Sequence, residues 1–221
     1  MISINRWTDG SVIHSGDFAS VKECLEDGVR KGICFDYADL NGAQLNNVEL
    51  NYAELNYVKL NNAWLNYAKL SNAKLNYAKL NDAKLYRAEL SNAKLNNAWL
   101  NGARLNYVEL NYTELNCARL NYVELNRARL NGAELNDAKL NFADLWNTIG
   151  NGKQIKNINN LRWPITYTKD TLQIGCKRHL ISEWASFTDE RIECMDEEAL
   201  EFWKEHKQHI LDTVKYSTCD I

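Results

Sequence analysis

Proline is almost absent from this 221-residue chain, occurring once, at Pro164. The six cysteines, Cys24, Cys34, Cys117, Cys176, Cys194 and Cys219, form no CxxC pair. The opening MISINRWTDG has neither a basic n-region nor an apolar h-region, and no stretch approaches the ~20 apolar residues of a membrane span. Together these absences predict a cytoplasmic protein with reduced thiols rather than a disulfide framework. An excess of one charge sign is missing too: the formal net charge is -3, so nothing advertises nucleic acid or an anionic membrane as a partner. With 45% hydrophobic and 25% charged residues, the composition excludes a disordered chain. No nucleophile elbow, phosphate-cradling glycine loop or HExxH motif occurs.

What the sequence has in abundance is a five-residue phrase. Leucine occupies every fifth position from Leu40 to Leu145, 22 in succession, with Phe35 in the slot before them. Two residues before each leucine stands Ala, Val or Thr, and the residue after each leucine up to Leu140 is Asn in 18 of 21 cases, broken by Ser71, Tyr86 and Ser91. Five steps of about 100° leave a net turn of about 140°, so a straight helix would scatter the leucines. A straight strand, with its period of two, would put them on alternating faces. The chain must therefore bend at every repeat, so that each leucine and the small residue two before it face an enclosed axis. The other three positions then face water.

Asn, Gly and Asp suit turns because they tolerate unusual backbone angles and bond locally. The second position after leucine holds Gly42, Gly102 and Gly132 and several asparagines, but also Tyr52, Tyr57, Tyr67, Tyr77, Tyr107, Tyr112 and Tyr122. Two turn variants are expected on this ground, only one of them with a positive φ.

AxLNx in such a run resembles the pentapeptide-repeat family over about residues 33–147. The resemblance implies an all-β, right-handed quadrilateral β-helix. Four sides give coils of 20 residues, five and a half of them stacked at ~4.8 Å into a rod roughly 25 Å long. A solenoid needs capped ends. Residues 1–32 hold an expected N-terminal cap helix over 20–31, with a Ser20/Glu23 capping box and Gly32 as its stop. Residues 146–221 lose the repeat, and 148–221 are expected to form a small α+β domain. Residues 161–176 read as a hairpin turning near Lys169-Asp170, HLISEWASF as one helix, and the stretch after Asp196 as another, with an apolar side of Ala199, Trp203, Ile210 and Val214. From Trp163 through IGCKRH and SEW to LEFW, this region also resembles one found in some bacterial and phage members of the family.

Cys176 and His179 have CxxH spacing, and Cys194 or His206 would have to complete a zinc site. Lone thiols and a histidine at a helix start account for the same residues more simply, so no metal and no cofactor are expected. An interior filled with leucine leaves no pocket for a catalytic pair, so an enzyme is not expected either.

Function then belongs to the surface. The slot just before each leucine holds ten basic residues, nine acidic ones, Gln44, Trp64 and Trp99. Positions 20 apart should lie one above another, and one side reads Asp39, Lys59, Lys79, Trp99, Arg119, Lys139. An outward tryptophan among cations is typical of an interaction hot spot. Trp99, Lys79, Arg119, Lys59 and Lys139, extended by Trp64 on the neighbouring side, are the expected partner surface. The leading expectation is a non-catalytic protein-binding scaffold for a cytoplasmic partner. The resemblance implies an alternative, a rod that imitates DNA and binds type II topoisomerases such as gyrase. Residues 36–145 carry 12 acidic and 12 basic residues, a poor electrostatic copy of a duplex. Nucleic-acid binding through the basic column is third, disfavoured by the acidic total. A C-terminal domain on the end through which some members dimerise favours a monomer over a homodimer.

Overall fold

The computed structural model describes residues 1–218. Cys219 lies outside the described residues; the other five cysteines are free thiols. No helix among the described residues is long and apolar enough to cross a membrane.

Parallel bridges join each outward residue to the one 20 positions later, from Asp39 with Lys59 to Arg129 with Ile149. Four five-residue sides therefore make one coil, and each coil lies directly on the next. Every side is bonded in both directions: Lys59 N donates to Ala38 O at 3.0 Å, and Leu60 N donates to Lys79 O at 2.7 Å. The leucines from Leu45 to Leu130 are at most 1% exposed. Removing each from water contributes on the order of 1.5–3 kcal/mol, opposed by the ordering of the backbone. Thr113 replaces the usual Ala or Val, and its buried hydroxyl donates to Leu90 O at 2.8 Å.

The corners depart from expectation. All of them share one conformation, with φ between 52° and 76° at every fifth position from Tyr37 to Gly152, tyrosine, arginine and cysteine included. With Ala63 N donating to Leu60 O at 3.1 Å and Asn62 at φ 58°, the corner is a type II turn. The two turn variants expected from the tyrosines do not exist. A left-handed residue other than glycine costs roughly 1–2 kcal/mol. Stacking between coils offsets it at some corners, since the rings of Tyr37, Tyr57 and Tyr77 lie parallel with centroids 4.8 Å apart.

Nor does the asparagine after leucine act locally. Its side-chain oxygen accepts the backbone N–H of the residue 20 positions on, as in Asn41 to Asn61 at 3.0 Å, Asn61 to Asn81 at 3.2 Å and Asn81 to Asn101 at 3.1 Å. These ladders satisfy turn donors that would otherwise be unpaired between coils.

At the N-terminal end, strands β1 (Ile2–Asn5) and β2 (Val12–Gly16) form an antiparallel hairpin that the sequence reading did not anticipate. It precedes the expected cap helix α1 (Val21–Arg30). Ser20 Oγ accepts from Glu23 N at 3.2 Å, while the Glu23 carboxylate reaches back to Ala19 N rather than to Ser20. Close packing of α1 on the first coil requires glycine at position 28, where a Cβ would stand 2.4 Å from the Phe35 ring. Ile4, Cys24 and Leu25 join the rod's own core.

At the other end, β3 (Lys156–Ile158), β4 (Ile165–Tyr167), β5 (Thr171–Ile174) and β6 (Lys177–Leu180) form one antiparallel sheet in chain order. Strands β4 and β5 are the expected hairpin, whereas β3 and β6 are additions. Helices α2 (Ile181–Ser186), α3 (Asp189–Glu193) and α4 (Ala199–Thr218) follow, α3 being unforeseen. Their core includes Ile165, Leu172, Trp184, Phe202, Trp203 and Ile210. Buried Gln173 imitates a further coil: its Oε1 accepts from Leu145 N at 2.8 Å, and its Nε2 donates to Asp144 at 2.8 Å.

Candidate partner-binding surface

The outward slot of each side stacks into a column because the chain repeats its register every 20 residues. Lys59, Lys79, Trp99, Arg119 and Lys139 are consecutive members of one such column, joined by parallel bridges. Trp64 stands on the next column, between Gln44 and Lys84. The six residues expected at the surface thus occupy two neighbouring sides of the rod.

Within the first column, indole rings take the place of carboxylates. Lys79 Nζ lies 5.2 Å from the Trp99 ring centroid and the Arg119 guanidinium 4.3 Å from it. Trp99 remains 36% exposed and Trp64 39%. Lys84 Nζ sits 3.5 Å over Trp64. Trp7, which sequence reasoning missed, comes down from the N-terminal hairpin onto the same column, with Lys59 and Lys79 at 4.6 and 5.6 Å from its ring. Nothing in the repeat signals it, because the hairpin stands outside the period.

Four cations on other columns of the rod are paired with carboxylates. Glu49 pairs with Lys69 at 2.9 Å, Glu54 with Lys74 at 2.7 Å, Lys94 with Glu114 at 3.2 Å and Arg104 with Glu124 at 3.5 Å. The hydrogen bond from each lysine holds the Glu49 and Glu54 carboxyls below their ordinary range and raises Lys69 and Lys74 above theirs. Among the described residues no ion pair reaches Lys59, Lys79, Arg119 or Lys139. A cation held over an indole keeps its charge available to a carboxylate or phosphate from outside.

A second aromatic edge was also missed. At a neighbouring corner Tyr67, Tyr86 and Tyr107 meet edge to face at 5.7 and 5.4 Å. Arg87 lies over Tyr86 and Tyr107, and Arg127 over Tyr107 and Trp146. The 20-residue arithmetic applied to the corner position would have found it, through 67, 87, 107 and 127.

The residues weighed for zinc do not converge. Cys176 and Cys194 are exposed, and the His179 ring meets Trp184 and Phe187 edge-on at 5.5 and 4.9 Å. His206 packs on Phe202. No group of three or more His, Cys, Asp or Glu among the described residues is placed to hold a metal ion.

Residues 34–66, 53–92, 68–106 and 113–149 match the family model for pentapeptide repeats (8 copies). No curated protein matches the chain. Among solved structures it is similar to a pentapeptide repeat protein from the cyanobacterium Cyanothece 51142, with 31% identity over 46% of this chain and 63% of that one, and a TM-score of 0.31. A pentapeptide repeat protein from Nostoc PCC 7120 shares 25% identity over 57% of this chain and 99% of that one, with a TM-score of 0.25. QnrB1, a plasmid-mediated fluoroquinolone resistance protein, shares 16% over 50% and 61%, with a TM-score of 0.24. The match spans less than two thirds of the first and third of these.

Proposed function

This chain belongs to the pentapeptide-repeat family, and from that premise we propose that it is a non-catalytic scaffold whose basic, tryptophan-bearing column binds a cytoplasmic protein through an acidic face. One observation carries the reading: Lys59, Lys79 and Arg119 of this column are held by Trp7 and Trp99, whereas four lysines and arginines of the other columns are spent on carboxylates. Trp99 with Lys79 and Arg119 forms the centre of the surface, and Lys59, Lys139 and Trp64 its margin. We take residues 1–32, 33–147 and 148–221 as cap, rod and C-terminal unit, the last covering the rod end and favouring a monomer.

The test is affinity capture from cytoplasm, washed at rising salt. Release of the captured protein between low and moderate salt supports a charge-complementary contact. Retention that no salt weakens opposes it. Recovery of gyrase subunits would support the topoisomerase reading instead, which the pairing of Glu49, Glu54, Glu114 and Glu124 with cations disfavours. Retention of duplex DNA would support the nucleic-acid reading.

A further inference from the structure

Beside the rod end lies a cavity of about 260 Å³ whose wall holds four of the chain's seven tryptophans, Trp146, Trp163, Trp184 and Trp203. Trp146 comes from the last coil of the rod, and the other three from the loop before β4, from α2 and from α4. Aromatic and apolar walls with a few polar groups are the usual make-up of a small-molecule site, and such sites run from about 300 Å³ upward. This cavity lies just under that range and suits a molecule of one or two fused rings.

Three further features say what kind of molecule. First, Trp203 is 3% exposed, and its Nε1 is the one buried side-chain nitrogen or oxygen among the described residues with no hydrogen-bond partner. A buried donor left unpaired costs about 1–3 kcal/mol, and an acceptor brought in by a ligand would remove that cost. Trp184, by contrast, donates to Leu172 O at 2.7 Å. Second, Lys177 lines the cavity, and no ion pair reaches it among the described residues. Third, three of the four rings carry a cation over one face: Arg127 on Trp146 at 4.6 Å, Arg162 on Trp163 at 5.5 Å and Lys207 on Trp203 at 5.6 Å. None of these cations lines the cavity; Arg162 is paired with Glu198, whereas no ion pair reaches Arg127 or Lys207 among the described residues. Against these stands one acid in the lining, Asp196, whose Oδ1 already accepts from Glu198 N at 3.2 Å. The surroundings are rich in donors and positive charge.

We infer that this cavity is a binding site for a small flat aromatic carboxylate, its ring held among the four indoles and its carboxylate meeting Lys177. A cationic ligand would place like charges together, and a purely aliphatic one would forgo ring contacts. The site is independent of the rod's basic column.

The test is a titration of the full chain with naphthalene-2-carboxylate, read by tryptophan fluorescence, with naphthalene-2-carboxamide and a naphthyl trimethylammonium salt run alongside. Saturable quenching by the carboxylate is expected, with weaker binding by the amide and none by the ammonium. Lys177→Met should weaken carboxylate binding about tenfold, the loss of one charge-assisted contact, and leave amide binding unchanged. Cys176 stands in the lining and is exposed, so bound carboxylate should slow its alkylation by iodoacetamide, while Cys117 on the rod reacts at an unchanged rate. This second readout needs no mutation. The inference is overturned if the three probes bind alike, if Lys177→Met binds as wild type does, or if Cys176 is unprotected at saturating carboxylate.

Discussion

The indole N–H of Trp7 donates to the carbonyl oxygen of Tyr57, fifty residues further on, at 2.8 Å. That bond fixes the ring against Tyr37 and beneath the ammonium groups of Lys59 and Lys79. Trp7→Ala removes the hydrogen bond and the cation–π contacts together, and should cost about 1–3 kcal/mol in urea unfolding. It should also weaken partner capture, because Lys59 and Lys79 lose the ring that orders them. Trp7→Phe keeps the ring and loses the bond, so its effect should lie between.

Leucine position along the rod sets the cost of truncation. Leu80 is 1% exposed in the middle of the stack, and Leu80→Ala should cost about 2–5 kcal/mol. Leu140, near the C-terminal end of the rod, is only half-buried. Leu140→Ala should cost less than half as much by the same measurement, and Leu80→Lys should not fold.

Corner tyrosines should divide by their neighbours rather than by their backbone. Tyr52 and Tyr57 share the left-handed conformation, at φ 64° and 58°. Tyr52 is 74% exposed, whereas Tyr57 is stacked on both sides. Tyr52→Asn should be neutral or stabilising by up to about 1 kcal/mol, since asparagine accepts this region more readily. Tyr57→Asn should be destabilising, because two ring stacks are lost.

Acid should loosen the C-terminal unit before the rod. Burial against Trp184 and Phe187 holds His179 below its ordinary value of 6.5. Its unfolded form therefore binds more protons in that window, and stability falls as pH drops below 6.5 through the folded value. Trp184 fluorescence melts should show this loss, and His179→Gln should flatten it. In the rod the corresponding groups are Glu49 and Glu54, held below 4.5 by Lys69 and Lys74, so its acid loss begins lower and should shrink in Glu54→Gln.

The sequence carried the rod almost completely, because enclosure leaves so little choice: Leu60 and Ala63 have no other place to go, and the 20-residue period puts Lys79 beneath Trp99. It did not carry the corner geometry. Tyrosine's aversion to positive φ is a local preference, and the ladder of bonds and stacked rings between coils overrides it, as at Tyr57. The Trp7 contact and the Gln173 plug were illegible for a different reason. Each joins a segment outside the period to one within it, and no spacing rule connects positions 7 and 57 or 145 and 173. The four-tryptophan cavity was hidden likewise, since Trp146 belongs to the last coil and its companions to three other elements.

The central claim is that the cations held by Trp7 and Trp99 face a partner. Its most direct measurement is parallel affinity capture with wild type, Trp99→Ala/Arg119→Ala, and a control altered on another side of the rod, Glu109→Ala/Arg129→Ala. Equal thermal melts of the three establish that all are folded. The account predicts that proteins retained by wild type and by the control are lost from the Trp99/Arg119 variant. The same proteins retained in equal amount by all three would contradict it.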